Sequence, residues 1–311
     1  MNTSGSDRSI PFQRPSLVSR VARLIVFLII GSLFSSCAQR TSPSEGTRTV
    51  VDELERTVHV TARAERVVSL APSVTETLFA LGAGDRVVGV TSYCDYPAEA
   101  RTKESVGDTL KPNVERIVAL KADLVIVSTA SQVESFVKKL EELEIPVYVT
   151  NPRSLEGVLK SIAAIGGIIG VADAARQLTD KLRGRIASIE SRVVDRARPS
   201  VFVILGTEPL ITAGGASFIN DVVNRSGGRS ISSDVNGDYL QYSLETAVAK
   251  QPEIIFLQAG GSDLPERLKQ TPAARSGRVY HLDDDLLLRP GPRIVDGLEQ
   301  MAAKIHPEAF K

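Results

Sequence analysis

One helix-and-strand unit is written twice in this chain, at a constant offset of 130 residues. Asn113-Val114-Glu115, Val118-Ala119 and Asp123-Leu124-Val125 align without a gap on Ser243-Leu244-Glu245, Val248-Ala249 and Glu253-Ile254-Ile255. In each copy a capping residue opens a helical pattern, and an acid then precedes a run of branched apolar residues. Any helix feeding a strand shares part of this pattern, but the constant offset favours a repeated supersecondary unit. Such a chain folds into two similar halves.

The surrounding sequence supplies the rest of each half. Short buried strands are expected at 67–70, 87–90, 124–127 and 147–149, with helical spacing at 74–81, 114–120 and 133–143 between them. This order predicts an α/β lobe with a largely parallel sheet and ligand-binding loops at the strands' carboxyl ends. After Pro199 the pattern restarts with a strand at 201–205, a Gly214-Gly215 turn, a helix at 218–223, strands at 254–257 and 279–282, and a closing helix at 294–305. Between the halves, Ser154 can cap one helical segment, Gly166, Gly167 and Gly170 interrupt it, and Asp173 can cap a second that runs to about 196. Its stripe of Ala175, Leu178, Leu182, Ile186, Ile189 and Val193 faces the lobes. At 1.5 Å per residue this segment spans roughly 35 Å, a stiff link that permits small rocking and disfavours wide hinge closure. The expected architecture is an α/β fold of two lobes, 50–153 and 199–311, joined by helices over 154–198.

The first 36 residues read as an address. Arg8, Arg14, Arg20 and Arg23 precede an apolar run that ends at Leu33-Phe34-Ser35-Ser36-Cys37. The run is shorter than the roughly 20 residues a spanning helix needs and suits a signal peptide. Two small residues before a cysteine are similar to the lipobox of bacterial lipoproteins, so Cys37 is expected to be lipidated and to open the mature chain. Residues 37–49, rich in Ser, Thr, Pro and Gly, read as a flexible tether. The precursor balances 37 basic against 37 acidic residues; without residues 1–36 the balance is 33 against 36. That lacks the basic excess of a nucleic-acid binder. Cys94 is left without a partner, either buried and inert or placed at the ligand site.

No catalytic site is expected. The chain has no phosphate-binding loop and no Gly-x-Ser-x-Gly, and Gly82-Ala83-Gly84 follows a helix instead of opening one. His59, His281 and His306 fall at no metal-ligand spacing, so no metal and no cofactor are expected. Four of the six tyrosines form two pairs, Tyr93 with Tyr96 and Tyr239 with Tyr242, one pair per half in a loop before a capped helix. They either converge on a cleft, where tyrosine offers flat area at low entropy cost, or anchor loops on their own lobes. Glu115 and Glu245 either favour the positive end of a helix dipole or present two equivalent acidic knobs to a basic partner. Arg289 and Arg293 can meet a ligand's carboxylate or phosphate, or pair on the surface.

Several stretches resemble the cobalamin- and iron-chelate-binding proteins of ABC importers. They are Arg66-Val67-Val68-Ser69-Leu70-Ala71-Pro72-Ser73-Val74-Thr75-Glu76, Ser92-Tyr93-Cys94-Asp95-Tyr96-Pro97, the run from Asn113 to Val125, Ser217-Phe218-Ile219, Gly227-Gly228, Ser243-Leu244-Glu245 and Arg289-Pro290-Gly291-Pro292-Arg293. The resemblance extends over about residues 50–308. The resemblance implies two Rossmann-like lobes on a helical backbone, a substrate-binding protein that catalyses nothing, and a membrane permease with its ATPase as partner. The Ser-Tyr-x-Asp-Tyr-Pro block is closest to the vitamin B12 branch, which implies a corrinoid held between the lobes by Tyr93, Asp95, Tyr96, Tyr239, Tyr242 and Arg289. It also implies docking of Glu115 and Glu245 on permease arginines by a monomeric, lipid-anchored protein outside the cytoplasm. The chain departs from the family in having no tryptophan. Thr109-Leu110, Ser128-Thr129 and Asp238-Tyr239-Leu240 stand where aromatic residues would come. Haem, an iron siderophore, or a sensor role without transport are the alternatives.

Overall fold

The computed structural model describes residues 46–129, 134–258 and 263–311. Cys37 and the expected signal peptide lie outside them. A hairpin comes first, β1 (Thr47–Val51) against β2 (Thr57–Thr61). The tether expected over 37–49 therefore ends sooner, because Thr47, Arg48 and Thr49 pair with Thr61, Val60 and His59. Alternating β-branched residues outweigh the tether-like composition there.

The amino-terminal lobe is a parallel sheet of β3 (Val67–Ser69), β4 (Val87–Val90), β5 (Glu104–Ser105), β6 (Leu124–Ser128) and β7 (Val147–Thr150), ordered β5-β4-β3-β6-β7. The order reverses between β3 and β6, so the crevice at their carboxyl ends is the place for a ligand. The hairpin covers the open edge of β7 with polar groups. Glu53 N–H donates to Val149 O at 3.1 Å, Asp52 Oδ2 accepts from Val149 N–H at 3.3 Å, and Arg56 Nη2 donates to Val147 O at 3.0 Å. An unpaired edge is thereby closed to other chains.

The carboxy-terminal lobe is a mixed sheet. Its strands are β8 (Ser200–Thr207), β9 (Leu210–Ala213), β10 (Arg229–Ser230), β11 (Tyr239–Gln241), β12 (Ile254–Gln258) and β13 (Val279–Leu282). The path runs β11-β9-β8-β12-β13, with β9 antiparallel to both β8 and β11 and with β10 parallel to β8. A tight turn returns β8 directly into β9, which a reading in units of alternating helix and strand does not foresee.

The repeat extends to hydrogen bonds and backbone conformation. Asn113 caps the helix Val114–Ala119 by accepting from Arg116 N–H, and Ser243 caps Leu244–Ala249 by accepting from Thr246 N–H. Both helices end before a residue in the left-handed region, Lys121 at φ 50° and Gln251 at φ 46°. Next, Asp123 accepts from the backbone N–H of Arg66, and Glu253 accepts from that of Ser200. In each lobe an acid thus ties the start of one strand to the start of its neighbour.

Two helices join the lobes, Leu155–Ile168 and Ala172–Val193. Ser154 caps the first through Gly157 N–H. Asp173 does not cap the second; it lies in the first turn and pairs with Arg176, and Val171 holds the cap position without a side-chain bond. Ala175, Leu182, Ile186, Ile189 and Val193 are buried as the stripe requires, with Leu178 partly buried. They belong to one apolar cluster that includes Val74 and Leu78 of the first lobe and Val222, Leu298 and Met301 of the second. Because the lobes share this core, separating them widely would expose it to water.

Candidate ligand site

The carboxyl-end loops of the first lobe carry Tyr93, Leu110, Thr129 and Arg153. Residues from both lobes meet around a cavity of about 200 Å3. Ser128, Thr129, Asn151, Pro152 and Arg153 form one wall; Ser217, Phe218, Asp238, Tyr239 and Pro290 form the other. Asn151 is fixed from two sides, since its Oδ1 accepts from Thr129 Oγ1 at 2.7 Å and its backbone N–H donates to Glu53 at 2.5 Å. Ser217 caps the helix Phe218–Arg225 through Asn220 N–H and so holds its own side chain at the helix start. Arg153 reaches across to Asp238, Nη1 to Oδ1 at 2.9 Å. The lining thus combines short polar groups, one ion pair, two prolines and the rings of Phe218 and Tyr239, beyond the carboxyl ends of β6 and β7.

The residues singled out from sequence have different fates. Tyr239 lines the cavity with its ring half exposed. Burial of its hydroxyl, reinforced by Asp238, pushes its pKa up to about 12. Tyr93 is well exposed on the loop after β4, with Leu110 equally exposed after β5. Of these three, Tyr239 lines the cavity, and Tyr93 and Leu110 stand exposed on loops of the first lobe. Tyr96 lies under the guanidinium of Arg293, whose central carbon is 3.9 Å from the ring centroid.

Tyr242 corrects an expectation. It is only 7% exposed, packs its ring against Phe202 at 5.7 Å between centroids, and donates its hydroxyl to Ile231 O at 3.3 Å. It is a core residue of the second lobe and does not reach the cleft. Arg289 is also spoken for. Its Nη1 lies 2.6 Å from Asp95 and 3.4 Å from Glu76, and its Nη2 lies 2.6 Å from Asp285. Glu76, with a side chain 2% exposed, also accepts from Arg293 at 2.6 Å and 3.0 Å. The bond from Arg289, ahead of the opposing burial, holds the Asp95 carboxyl below its usual range. Asp95 and Arg289 therefore join the two lobes, and the ligand role expected of them is taken by this ionic contact. Cys94 is packed in the core with its Sγ 3.2 Å from Thr91 Oγ1, and burial pushes its thiol up.

Glu115 and Glu245 are 79% and 68% exposed at the side chain, on equivalent helices of the repeat. Each faces one basic residue from the next helical element, Lys139 at 3.5 Å from Glu115 and Arg267 against Glu245. For both, the carboxyl is held below its usual range first by its own backbone N–H and then by neighbouring side chains.

Asn151, Arg153, Asp238 and Pro290 were not singled out as site residues from sequence. For Asn151 and Arg153 the signal that could have found them is positional, since both lie just past the strand reading at 147–149; Asp238 and Pro290 follow no strand reading directly.

The family model described as periplasmic binding protein matches residues 67–286. The ABC transporter substrate-binding lipoprotein YvrC of Bacillus subtilis is 32% identical over 274 residues, covering 85% of this chain and 87% of that protein. Among solved structures, the periplasmic vitamin B12-binding protein BtuF of Vibrio cholerae superposes with a TM-score of 0.71 at 30% identity, covering 80% of this chain and 98% of that one. The periplasmic haem-binding protein RhuT from Roseiflexus sp. RS-1, in apo form, gives 0.72 at 27% identity, covering 79% and 99%. By this extent of match in both sequence and fold, the chain belongs to the periplasmic binding protein family.

Proposed function

We propose that this protein is the extracytoplasmic substrate-binding component of an ABC importer and that it captures a corrinoid between its lobes. The observation that carries the reading is the cleft itself, a cavity between the lobes walled by Phe218, Tyr239 and polar groups, with Tyr93 and Leu110 exposed on carboxyl-end loops of the first lobe. A large ring with apolar faces and a hydrogen-bonding edge complements that surface. Likeness to the Vibrio cholerae vitamin B12-binding protein supports it. A volume of about 200 Å3 is below the roughly 300–1,000 Å3 of small-molecule sites, so binding requires the lobes to part slightly. The helical link and shared core keep that movement small. In this reading Glu115 and Glu245 dock on basic residues of the permease, and lipid on Cys37 holds the protein at the membrane. The YvrC lipoprotein supports the anchor.

Haem is the second reading. It is favoured by likeness to RhuT and by the exposed Tyr93, whose phenol is a group type that ligates haem iron. Equilibrium dialysis against cyanocobalamin, haemin and a ferric siderophore separates the readings. The chain has no tryptophan, so ligand absorbance is the better readout. Retention of cyanocobalamin alone supports the corrinoid; retention of haemin alone replaces it with haem.

A further inference from the structure

Among the residues lining the cavity, the charged side chains are Arg153 and Asp238. Arg153 follows β7 in one lobe and Asp238 precedes β11 in the other, so their 2.9 Å contact spans the cleft. The side chains remain 56% and 38% exposed, and an ion pair so open to water holds weakly. The neighbouring arginines cannot add positive charge to the cleft, because Arg289 and Arg293 are already met by Glu76, Asp95 and Asp285. A ligand larger than the cavity enters only when Arg153 and Asp238 separate. Separation leaves a donor-only guanidinium on one wall and an acceptor-only carboxylate on the other.

We propose that this separated pair reads a primary carboxamide on the rim of the ligand and discriminates it from a carboxylate. The guanidinium of Arg153 donates to the amide oxygen while the amide N–H donates to Asp238. Each ionic group exchanges one hydrogen-bond partner for another, and neither is left without one. A carboxylate in the same place satisfies Arg153 but brings only acceptors and a like charge to Asp238. Corrinoids carry carboxamides around the ring and haem carries carboxylates, so the pair selects the corrinoid. The inference rests on the corrinoid reading of the cleft and adds the residues that enforce it.

Cyanocobalamin and its monocarboxylic acids, each with one rim amide hydrolysed, are the probes, used with the full chain by equilibrium dialysis at neutral pH. The wild-type protein should prefer cyanocobalamin over at least one monoacid by about tenfold, the value of one lost charge-assisted hydrogen bond. Asp238→Asn should bring the two within about twofold by admitting the acid. Arg153→Gln should weaken cyanocobalamin about tenfold. Unchanged thermal midpoints exclude unfolding as the cause. No preference in the wild type, or an unchanged preference in Asp238→Asn, overturns the role of the pair and leaves the corrinoid reading in place. No retention of cyanocobalamin by the wild type overturns both.

Discussion

The two tyrosines of the second lobe show how one residue's role depends on the strand that carries it. Tyr239 begins β11 and Tyr242 lies just past its end, where its N–H bonds Leu210 O. Side chains alternate along extended chain, so residues three apart face opposite sides. Tyr239 turns to the cleft, whereas Tyr242 joins Leu240 in the lobe interior. The spacing was visible in the sequence; that the segment is extended was not. Tyr242→Phe should cost about 1 kcal/mol in urea unfolding, the worth of one buried hydrogen bond, without changing ligand affinity. Tyr239→Ala should do the reverse, weakening ligand retention with little change in unfolding midpoint. Glu53 adds a pH effect. Burial raises its carboxyl above the ordinary 4.5, against the pull of Ser161 and the Asn151 N–H. The folded state therefore binds this proton more tightly than the unfolded chain, and stability falls as pH rises from 4.5 through the raised value. Glu53→Gln should remove that fall, seen as a flatter melting temperature against pH across this window.

At the scale of elements, the repeat was the most legible part of the molecule because its signals are local. Caps, helix spacing and the acid before each strand all lie within a dozen residues. What composition could not give is the left-handed backbone at Lys121 and Gln251. Side chains strain there and glycine does not, so Lys121→Gly and Gln251→Gly should each raise stability by about 0.5–1 kcal/mol in urea unfolding. Loss of stability in both would show that their side chains contribute contacts outweighing the strain. The amino-terminal hairpin was missed for a physical reason. Its first strand is exposed on alternate residues, and its loop is held by the side chains of Asp52 and Arg56 and the backbone N–H of Glu53, which pair with β7 across a long stretch of sequence. The hairpin of β8 and β9 was likewise hidden, since its pairing partners are set by the sheet.

For the whole molecule, the shared core and the contact of Glu76 and Asp95 with Arg289 and Arg293 tie two lobes into a body suited to small openings. Sequence located the arginines but left their partners open, because those lie some 200 residues away in the other lobe. The cleft walls follow from the same long-range assembly. Glu115 and Glu245, by contrast, were legible from the repeat and stand exposed on equivalent helices. Replacing both with arginine should abolish association with the detergent-solubilised permease and ATPase complex while leaving ligand affinity intact; unchanged co-elution would return them to favouring the positive ends of their helix dipoles. The central claim is that the cleft binds a corrinoid. Isothermal calorimetry of the protein with cyanocobalamin should show one site per chain with a dissociation constant in the micromolar range or tighter, and the absence of heat at tens of micromolar would contradict it.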